Sequence, residues 1–365
     1  MTVTEYATAD GLPGAYWSAD PADPRSSRAW LTANRWPEDG VRFLEIPGAG
    51  AACAVRTQDH HSGFPRMNCT DVAAGTGRDV EQSEADLARA RTEGLHQLNV
   101  CALGYGQSVF PARGARFDAD ALLTALEEYA HRQGRLLTFL HLDADDPVLP
   151  SLRRRGWSVG VTDHYYRIAD VGPDEAAYLA GFSAHRRSRL RRELASLAQA
   201  GASAEIHRGA EVTDRIQQEV AHLEACSDEK HGIPGDPARL LRVNEGLRHA
   251  FGSRYCVALV RDRHGNAVAS STALLGTRDV LPRMVGLGPG SKEIGAYFHV
   301  AYHLMARLAR DSAARGVLLS TGTATAKLHR GATASPLLSA VPPAARAHAA
   351  LLRRTDAAFA SREAR

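Results

Sequence analysis

The stretch RMVGLGPGSKEIGAYFHVAYHLMARLARDSAARGVLLSTGTATAKLHRGATASPLLS (residues 283–339) sets the organisation of the chain. It opens with a short apolar run and a Gly/Pro turn at 286–290. Apolar residues from Ile294 to Leu308 then recur at helical spacing, and a basic last turn before Gly316 ends the predicted helix.

A buried-looking strand is predicted next, at 317–320, and a polar loop rich in Gly and Thr follows it. That loop carries Lys327, His329 and Arg330 close together. Because the helix start offers free N–H groups and the strand end offers side chains, this order of elements predicts a ligand site of an α/β protein.

Composition is that of a soluble globular protein of two domains, with 365 residues, 44% hydrophobic residues and a net charge of +3. Any attraction for nucleic acid must therefore be local. The five cysteines are scattered without a CxxC pair, which predicts reduced thiols and neither a zinc site nor a disulfide framework. The start of the chain does not resemble a signal peptide, and no apolar run is long enough for a membrane helix, so we expect a cytoplasmic protein.

The first half alternates strands and helices. A hairpin is predicted from strands at 42–46 and 51–55, and a long polar loop from 59 to 79. His60 and His61 in that loop have no partner at metal-ligand spacing, which favours a solvated or substrate-facing loop over a metal site.

The next unit of the first half is more regular. A strand at 96–103 precedes a helix at 119–132, whose apolar face is clear and which Asp118 caps. The apolar run 136–142 suits a buried strand, and a pair of strands is predicted to end at 164–168.

The second half repeats this pattern. Strands at 255–260 and 267–273 form a predicted hairpin, and the stretch that opens this section supplies the long helix and the next strand. An internal duplication explains this better than one large sheet. We therefore predict domains at 1–170 and 171–342, and a helical tail at 343–365 that is packed on the second domain or frayed.

Short motifs in this order resemble a known superfamily. The run Val148–Trp157 before the last strands of the first half resembles the GNAT (acyl-CoA N-acyltransferase) superfamily. Two such halves in one chain resemble the Fem-type aminoacyltransferases, among them peptidoglycan-biosynthesis acyltransferases. The resemblance covers about residues 95–340 and is carried by three further segments: FSAHRRSRLRRE (182–193), CSDEKHGIP (226–234) and GTATAKLHRG (322–331).

The resemblance implies a fold and a division of labour. The expected fold class is α/β (α+β), with two tandem GNAT-like domains, each a mixed twisted sheet flanked by helices. The N-terminal domain is expected on the acceptor side and the C-terminal domain on the donor and catalytic side. In the N-terminal domain, Tyr105 and His141 are predicted to contact the acceptor.

A cluster of arginines at 186–192 is the sharpest local charge. Arg186, Arg187 and Arg191 are predicted to contact phosphate groups of the donor, since guanidinium groups match phosphate oxygens. Lys230 and His231 are assigned to the same role. The alternative is a solvated helix face whose arginines pair with nearby carboxylates.

The candidate catalytic residues are Lys327, Arg330, Tyr302 and His299. A cation after the last strand could hold a phosphate or stabilise the oxyanion of an acyl-transfer intermediate. His299 and Tyr302 lie three residues apart on the long helix and could take part in proton transfer.

The prediction of the acyl donor rests on motifs that the sequence lacks. No GxSxG motif and no Cys–His pair is recognisable, which favours direct attack by the amine without a covalent enzyme intermediate. The segment 288–296 does not have the Q/R-x-x-G-x-G/A spacing of an acetyl-CoA site. We therefore predict aminoacyl-tRNA as donor, as in the Fem-type pattern.

The acceptor is predicted to be the amine of a specialised metabolite or a cell-wall precursor. No tightly bound cofactor or metal is expected, because the donor is a co-substrate. An acyl-CoA or acyl-carrier-protein donor is the alternative among enzymes. A non-catalytic module that binds RNA or a nucleotide is the alternative from another class.

Overall fold

A computed structural model describes residues 2–17, 24–33, 40–59, 68–76, 80–101, 108–312 and 314–363. The chain divides into two compact units. The first contains Arg25–His164 and Ser335–Arg365, and the second contains Tyr165–Ala334.

Strands and helices alternate along both units. The strands are β1 (Thr4–Tyr6), β2 (Val41–Ile46), β3 (Ala51–Asp59), β4 (His96–Val100), β5 (Val109–Pro111), β6 (Leu136–Asp143), β7 (Ser158–Ile168), β8 (Ser203–Arg208), β9 (Tyr255–Arg261), β10 (Ala267–Leu275), β11 (Asp279–Leu287), β12 (Gly316–Leu319) and β13 (Thr333–Val341). The helices are α1 (Arg28–Ala33), α2 (Cys69–Ala74), α3 (Glu84–Glu93), α4 (Ala119–Arg132), α5 (Leu149–Arg154), α6 (Glu175–Ala180), α7 (Ala184–Gln199), α8 (Asp214–Lys230), α9 (Pro237–Phe251), α10 (Ala296–Phe298), α11 (Leu304–Asp311), α12 (Ala324–Leu328) and α13 (Arg346–Glu363).

The sheet of the first unit has the order β1-β2-β3-β4-β6-β13-β7, with β5 also on β3. The β2–β3 hairpin is antiparallel, as predicted, and β4 pairs parallel with β6. Helix α4 spans the predicted residues, and the Asp118 side chain accepts a hydrogen bond from the Ala121 N–H at 3.0 Å. Leu122, Leu126 and Phe139 are fully buried in the core that α4 and β6 share.

Two predictions for the first unit are wrong. The expected strand pair that ends at 164–168 is one continuous strand, β7, since Gly160 continues the extended backbone without a turn. Part of the predicted loop at 59–79 is helix α2, because the Asn68 side chain accepts hydrogen bonds from the N–H groups of Thr70 and Asp71 and caps it. His60 and His61 lie outside the described residues.

The C-terminal tail is a helix, as predicted, but it belongs to the first unit and not to the second. Helix α13 packs on α2 and α3 through small apolar side chains, and Leu351 and Leu352 are buried in that contact. His348, fully buried, joins Thr70 and Glu93: its Nε2 lies 3.0 Å from Thr70 Oγ1 and its Nδ1 lies 3.2 Å from Glu93 Oε2. Because alanine side chains are small, α13 can pack closely on α2 and α3.

The sheet of the second unit has the order β7-β12-β11-β10-β9-β8, to which β7 contributes residues 165–168. The predicted β9–β10 hairpin is present. One face of this sheet packs against α7, α10 and α11, and its core includes Val300, Met305 and Leu308. Met284 contacts Ala221 and Leu240 of α8 and α9 on a separate apolar cluster.

Two local expectations for the second unit are also corrected. The turn predicted at 286–290 begins later, because β11 continues to Leu287. Gly286 is needed for close packing and not for a turn: a Cβ atom there would lie 2.7 Å from the backbone nitrogen of Glu224 on α8. The polar loop that carries Lys327 contains a short helix, α12.

Candidate functional site

The candidate site lies where two parallel strands of the second unit separate. Strands β11 and β12 pair only at Asp279 with Gly316 and at Val280 with Val317, although β11 continues to Leu287. Beyond these pairs the two strands no longer share hydrogen bonds. The carboxyl end of a parallel strand beside such an opening is where α/β proteins place ligands.

Lys327 stabilises the loop after β12 through hydrogen bonds to its backbone. Its ammonium group donates to the backbone oxygens of Ser320 and, at 2.9 Å, of Thr321. The side chain is 4% exposed, and its Nζ lies 5.0 Å from the centre of the Tyr166 ring. The preceding Thr323 has a φ of 44°, an unfavourable conformation for a β-branched residue. Lys327 thus holds a strained turn by satisfying the carbonyls at the strand end.

Arg330 is buried, with 3% of its surface exposed, and contacts of its guanidinium hold it in place. Its Nη2 donates to Glu193 Oε2 at 2.7 Å, and its Nη1 donates to the Ala326 backbone oxygen at 2.7 Å. The guanidinium lies 4.1 Å from the centre of the Phe298 ring and 4.6 Å from that of Tyr302. A buried, stacked and paired arginine of this kind orients its neighbours.

Glu193 on α7 is the centre of this group, and the sequence interpretation assigned it no role in the site. Besides Arg330, it faces His303 Nε2 at 3.5 Å and Arg189 Nε at 3.6 Å. Burial raises the pKa of the Glu193 carboxyl, but contact with His303 and the charge of Arg330 outweigh burial and leave the pKa below its ordinary value. The carboxylate therefore stays charged and anchored.

His299 and Tyr302 contact this group from the long helix, where His299–His303 form one π-helical turn between α10 and α11. His299 Nε2 lies 2.8 Å from the Glu193 backbone oxygen and therefore carries the proton of that hydrogen bond. Burial, followed by the charge of His303, lowers the pKa of His299 to about 4, so the ring is neutral at pH 7. Burial raises the pKa of Tyr302, whose hydroxyl lies 3.3 Å from that of Tyr297.

A cavity of about 610 Å³ lies beside Glu193, between α7 and the turn that joins β11 to α10. Its basic lining consists of His185, Arg189, Arg192 and Lys292. The residues from α7 that line it are spaced as one face of a helix. Its acidic residues are Glu193, which is already paired, and Glu293. The cavity is therefore suited to an anionic ligand.

The arginines predicted to bind phosphate point elsewhere on α7. Arg187 donates to the Phe182 backbone oxygen at 2.7 Å, and Arg186 lies 5.8 Å from the centre of the Phe182 ring. Arg191 is exposed. Helical spacing from Glu193 does not separate Arg189 from Arg186, because they lie four and seven residues before it and both spacings fall on one helix face.

The structure describes three of the four remaining predicted residues. Lys230 and His231 are exposed at the end of α8. His141 is buried in β6 of the first unit, where its φ of 58° marks an irregularity in the pairing with β13. Tyr105 lies outside the described residues. The role of each of these residues stays a prediction.

Neither a membrane helix nor a metal-ligand cluster is found in the described part of the chain. No helix there is both long and apolar enough to cross a bilayer. No group of three or more His, Cys, Asp or Glu side chains in the same ranges is arranged to hold a metal ion.

Comparison with known proteins identifies the fold. No protein-family profile matches the chain, and no curated protein matches its sequence. Among solved structures, FemX is similar with a TM-score of 0.55 and 11% identity over 93% of this chain and 97% of that one. L-PGS from Bacillus licheniformis has a TM-score of 0.51 and 10% identity over 86% and 89% of the two chains.

A third solved structure has the same fold. The C-terminal DUF2156 domain of a putative lysylphosphatidylglycerol synthetase from Agrobacterium fabrum has a TM-score of 0.50 and 15% identity over 80% of this chain and 96% of that one. The predicted tandem GNAT-like fold is thereby confirmed.

Proposed function

We propose that the protein is an N-acyltransferase that moves an aminoacyl group from tRNA to the amine of a small-molecule acceptor. The observation that carries the proposal is the basic cavity at the turn after β11, next to the opening between β11 and β12. Its acceptor would be a specialised metabolite or a cell-wall precursor. The tandem GNAT-like fold, shared with FemX and L-PGS, supports acyl transfer.

Electrostatics of the cavity support a phosphate-bearing donor. Arg189, Arg192 and Lys292 bring positive charge to one wall. Glu193 pairs with Arg330 as well as with Arg189, so it offsets only part of this positive charge. Guanidinium groups bind phosphate oxygens in pairs of parallel hydrogen bonds, which favours a nucleic acid end or a nucleotide.

The turn between β11 and α10 supports tRNA over an ordinary acyl-CoA. A pyrophosphate is bound by backbone N–H groups that point out of such a turn. Here the N–H groups of Ser291, Gly295 and Ala296 donate to carbonyls of the turn itself, at 3.4, 3.2 and 2.9 Å. These N–H groups are therefore engaged within the turn, in agreement with the missing glycine spacing.

Direct attack by the amine needs few groups from the protein. The acceptor must lose a proton, and the two reactants must be held in line. Four of the five cysteines are poor nucleophiles, since burial raises the pKa of Cys53, Cys69, Cys101 and Cys256 to about 12. In this proposal Lys327, Arg330 and Tyr302 shape the end of the opening, and the acceptor amine loses its proton to water or to the substrate itself. Buried, neutral His299 is too weak a base for this step and holds the Glu193 backbone instead.

The test supplies the purified protein with a pool of amine metabolites and, in separate reactions, with bulk tRNA charged with mixed amino acids or with mixed acyl-CoA thioesters. New amides are detected by mass spectrometry. We expect product with charged tRNA only, and we expect ribonuclease treatment of the tRNA to abolish it.

The other outcomes separate the alternatives. Product from acyl-CoA that resists ribonuclease would replace this proposal with an acyl-CoA or acyl-carrier-protein donor. Tight binding of tRNA with no amide in any pool would favour a non-catalytic module for RNA or nucleotides.

A further inference from the structure

A buried carboxylate lies in the second unit, between α8 and the sheet. Glu224 is fully buried, and its oxygens accept hydrogen bonds from Asn244 Nδ2 at 2.9 Å and Thr272 Oγ1 at 3.0 Å. Arg283 Nη1 lies 3.3 Å from Glu224 Oε1. A buried carboxylate costs much free energy unless it is paired, so this arrangement needs the arginine.

An irregularity in β11 places that arginine. Thr272 pairs with Met284 and Ala273 pairs with Pro282, so Arg283 is an extra residue without a partner on β10. A bulge of this kind turns a side chain, and bulges are frequent beside functional sites. Pro282 has no backbone N–H for a ladder hydrogen bond, and a proline is tolerated at a bulge for this reason. The bulge directs Arg283 to the face of the sheet that α8 covers, where Glu224 lies.

The guanidinium of Arg283 is held by one edge only. Its hydrogen bonds to the described residues run through Nη1, to Glu224, to Asn244 Oδ1 at 3.4 Å and to Met284 Sδ at 3.9 Å. The side chain keeps 12% of its surface exposed, beside half-buried Met284. An arginine fixed through one nitrogen keeps the Nε and Nη2 edge available for a planar anion, and its orientation is already set.

Neighbouring hydroxyl groups indicate a polar ligand as well. The hydroxyl groups of Tyr255 and Ser270 are fully buried and have no hydrogen-bond partner among the described residues. Tyr255 is near the pair, because after burial the charge of Glu224 is the next cause that raises its pKa. Ser270 Oγ would lie 2.5 Å from a Cβ atom on Gly286, so it lies at the close contact between β11 and α8. Buried polar groups are normally hydrogen-bonded.

We propose that Arg283 binds a carboxylate of the acceptor, with Glu224 and Asn244 as positioning residues, so that the acceptor is an amine that also carries a carboxylate. This inference rests on the proposed N-acyl transfer. Arg283 lies on the part of β11 that has left β12, and the same strand leads into the turn that lines the basic cavity. The two reactants would thus be held along one strand.

A carboxylate fits this position better than a phosphate. Glu224 already offsets the charge of Arg283, and Asp228 is close enough to be influenced by Arg283. Because these carboxylates leave little net positive charge, a planar group bound by two parallel hydrogen bonds fits better than a phosphate dianion, which needs more positive charge.

The test measures binding without any donor. The melting temperature is recorded against increasing concentrations of alanine, alanyl-alanine, their C-terminal amides and inorganic phosphate. We expect the free acids to stabilise the wild type more than the amides or phosphate do. In Arg283→Gln the apparent Kd of the acids should rise at least about tenfold, while binding of the amides stays the same.

Controls keep the result interpretable if Arg283→Gln folds poorly. The double variant Glu224→Gln/Arg283→Gln removes both buried charges together and should also lose the preference for the acids. Arg263→Gln, an exposed arginine in the β9–β10 turn, should keep it.

Several results would overturn the assignment: no stabilisation of the wild type by any acid, equal stabilisation by acids and amides, an Arg283-dependent preference for phosphate, or an acid preference that survives in both variants. None of these results depends on turnover. They leave the tRNA test of the proposed function untouched, and a failure of that test leaves this binding result standing.

Discussion

The charged residues of the candidate site are held by the protein before any substrate arrives. Arg330 is stacked and paired, and Lys327 donates to two backbone carbonyls. Sequence alone suggests that such cations in a polar loop face the substrate. In the structure their contacts are internal, and the side chains that line the cavity are more exposed ones.

Lys327 gives a prediction at this scale. Lys327→Met should lower the free energy of unfolding by about 2–4 kcal/mol, because the carbonyls of Ser320 and Thr321 lose their donor in a buried place. Urea unfolding at constant pH measures this.

Lys292→Met is the matched control, since Lys292 is exposed and lines the cavity. It should leave stability within about 0.5 kcal/mol and weaken donor binding instead. A Lys327→Met protein as stable as the wild type but without turnover would show that Lys327 acts on the substrate.

Among the elements, helix α7 determines which charged side chains line the cavity. Its arginines are dense enough to surround the helix, but those that line the cavity are Arg189 and Arg192. The other face is used internally, as in the hydrogen bond from Arg187 to Phe182.

A pair of double variants tests this selection. Arg189→Ala/Arg192→Ala should weaken the binding of fluorescently labelled tRNA about tenfold at moderate salt. The slope of log affinity against log salt should become shallower by about two, since two phosphate contacts are lost.

The matched control is Arg186→Ala/Arg191→Ala, which removes the same charge from the same helix. Its affinity and salt slope should change less. If this control loses more affinity than the cavity variant, the phosphate-binding face is the one predicted from the sequence, and the cavity is not the donor site.

At the scale of the molecule, the C-terminal helix completes the first unit. Helix α13 buries Leu351 against α2 and α3, and the chain must return from the second unit before this core is complete. Folding of the first unit therefore depends on residues at the far end of the sequence.

Leu351→Ala tests this dependence. The loss of a fully buried leucine should cost about 2–5 kcal/mol, and hydrogen exchange should rise first in α2, α3 and α13. Arg353→Ala, an exposed position on the same helix, should change neither. Faster exchange confined to β9 and β10 would contradict the placement of the tail in the first unit.

The sequence by itself determined the tandem GNAT-like fold and most of its elements. Helix α4, its Asp118 cap, the hairpins and the strands after each long helix follow from apolar period and capping, which are local properties. The same pattern predicted a site after a parallel strand, and that placement stays a prediction.

Only the tertiary structure decided which side chains meet. The partner of Arg330 lies 137 residues away, that of Arg283 lies 59 away, and Thr70 reaches His348 over 278 residues. No local pattern encodes such pairs, because they depend on how helices and strands pack. For the same reason Gly286 reads as a turn in the sequence, and only the close approach of α8 shows why it must lack a side chain.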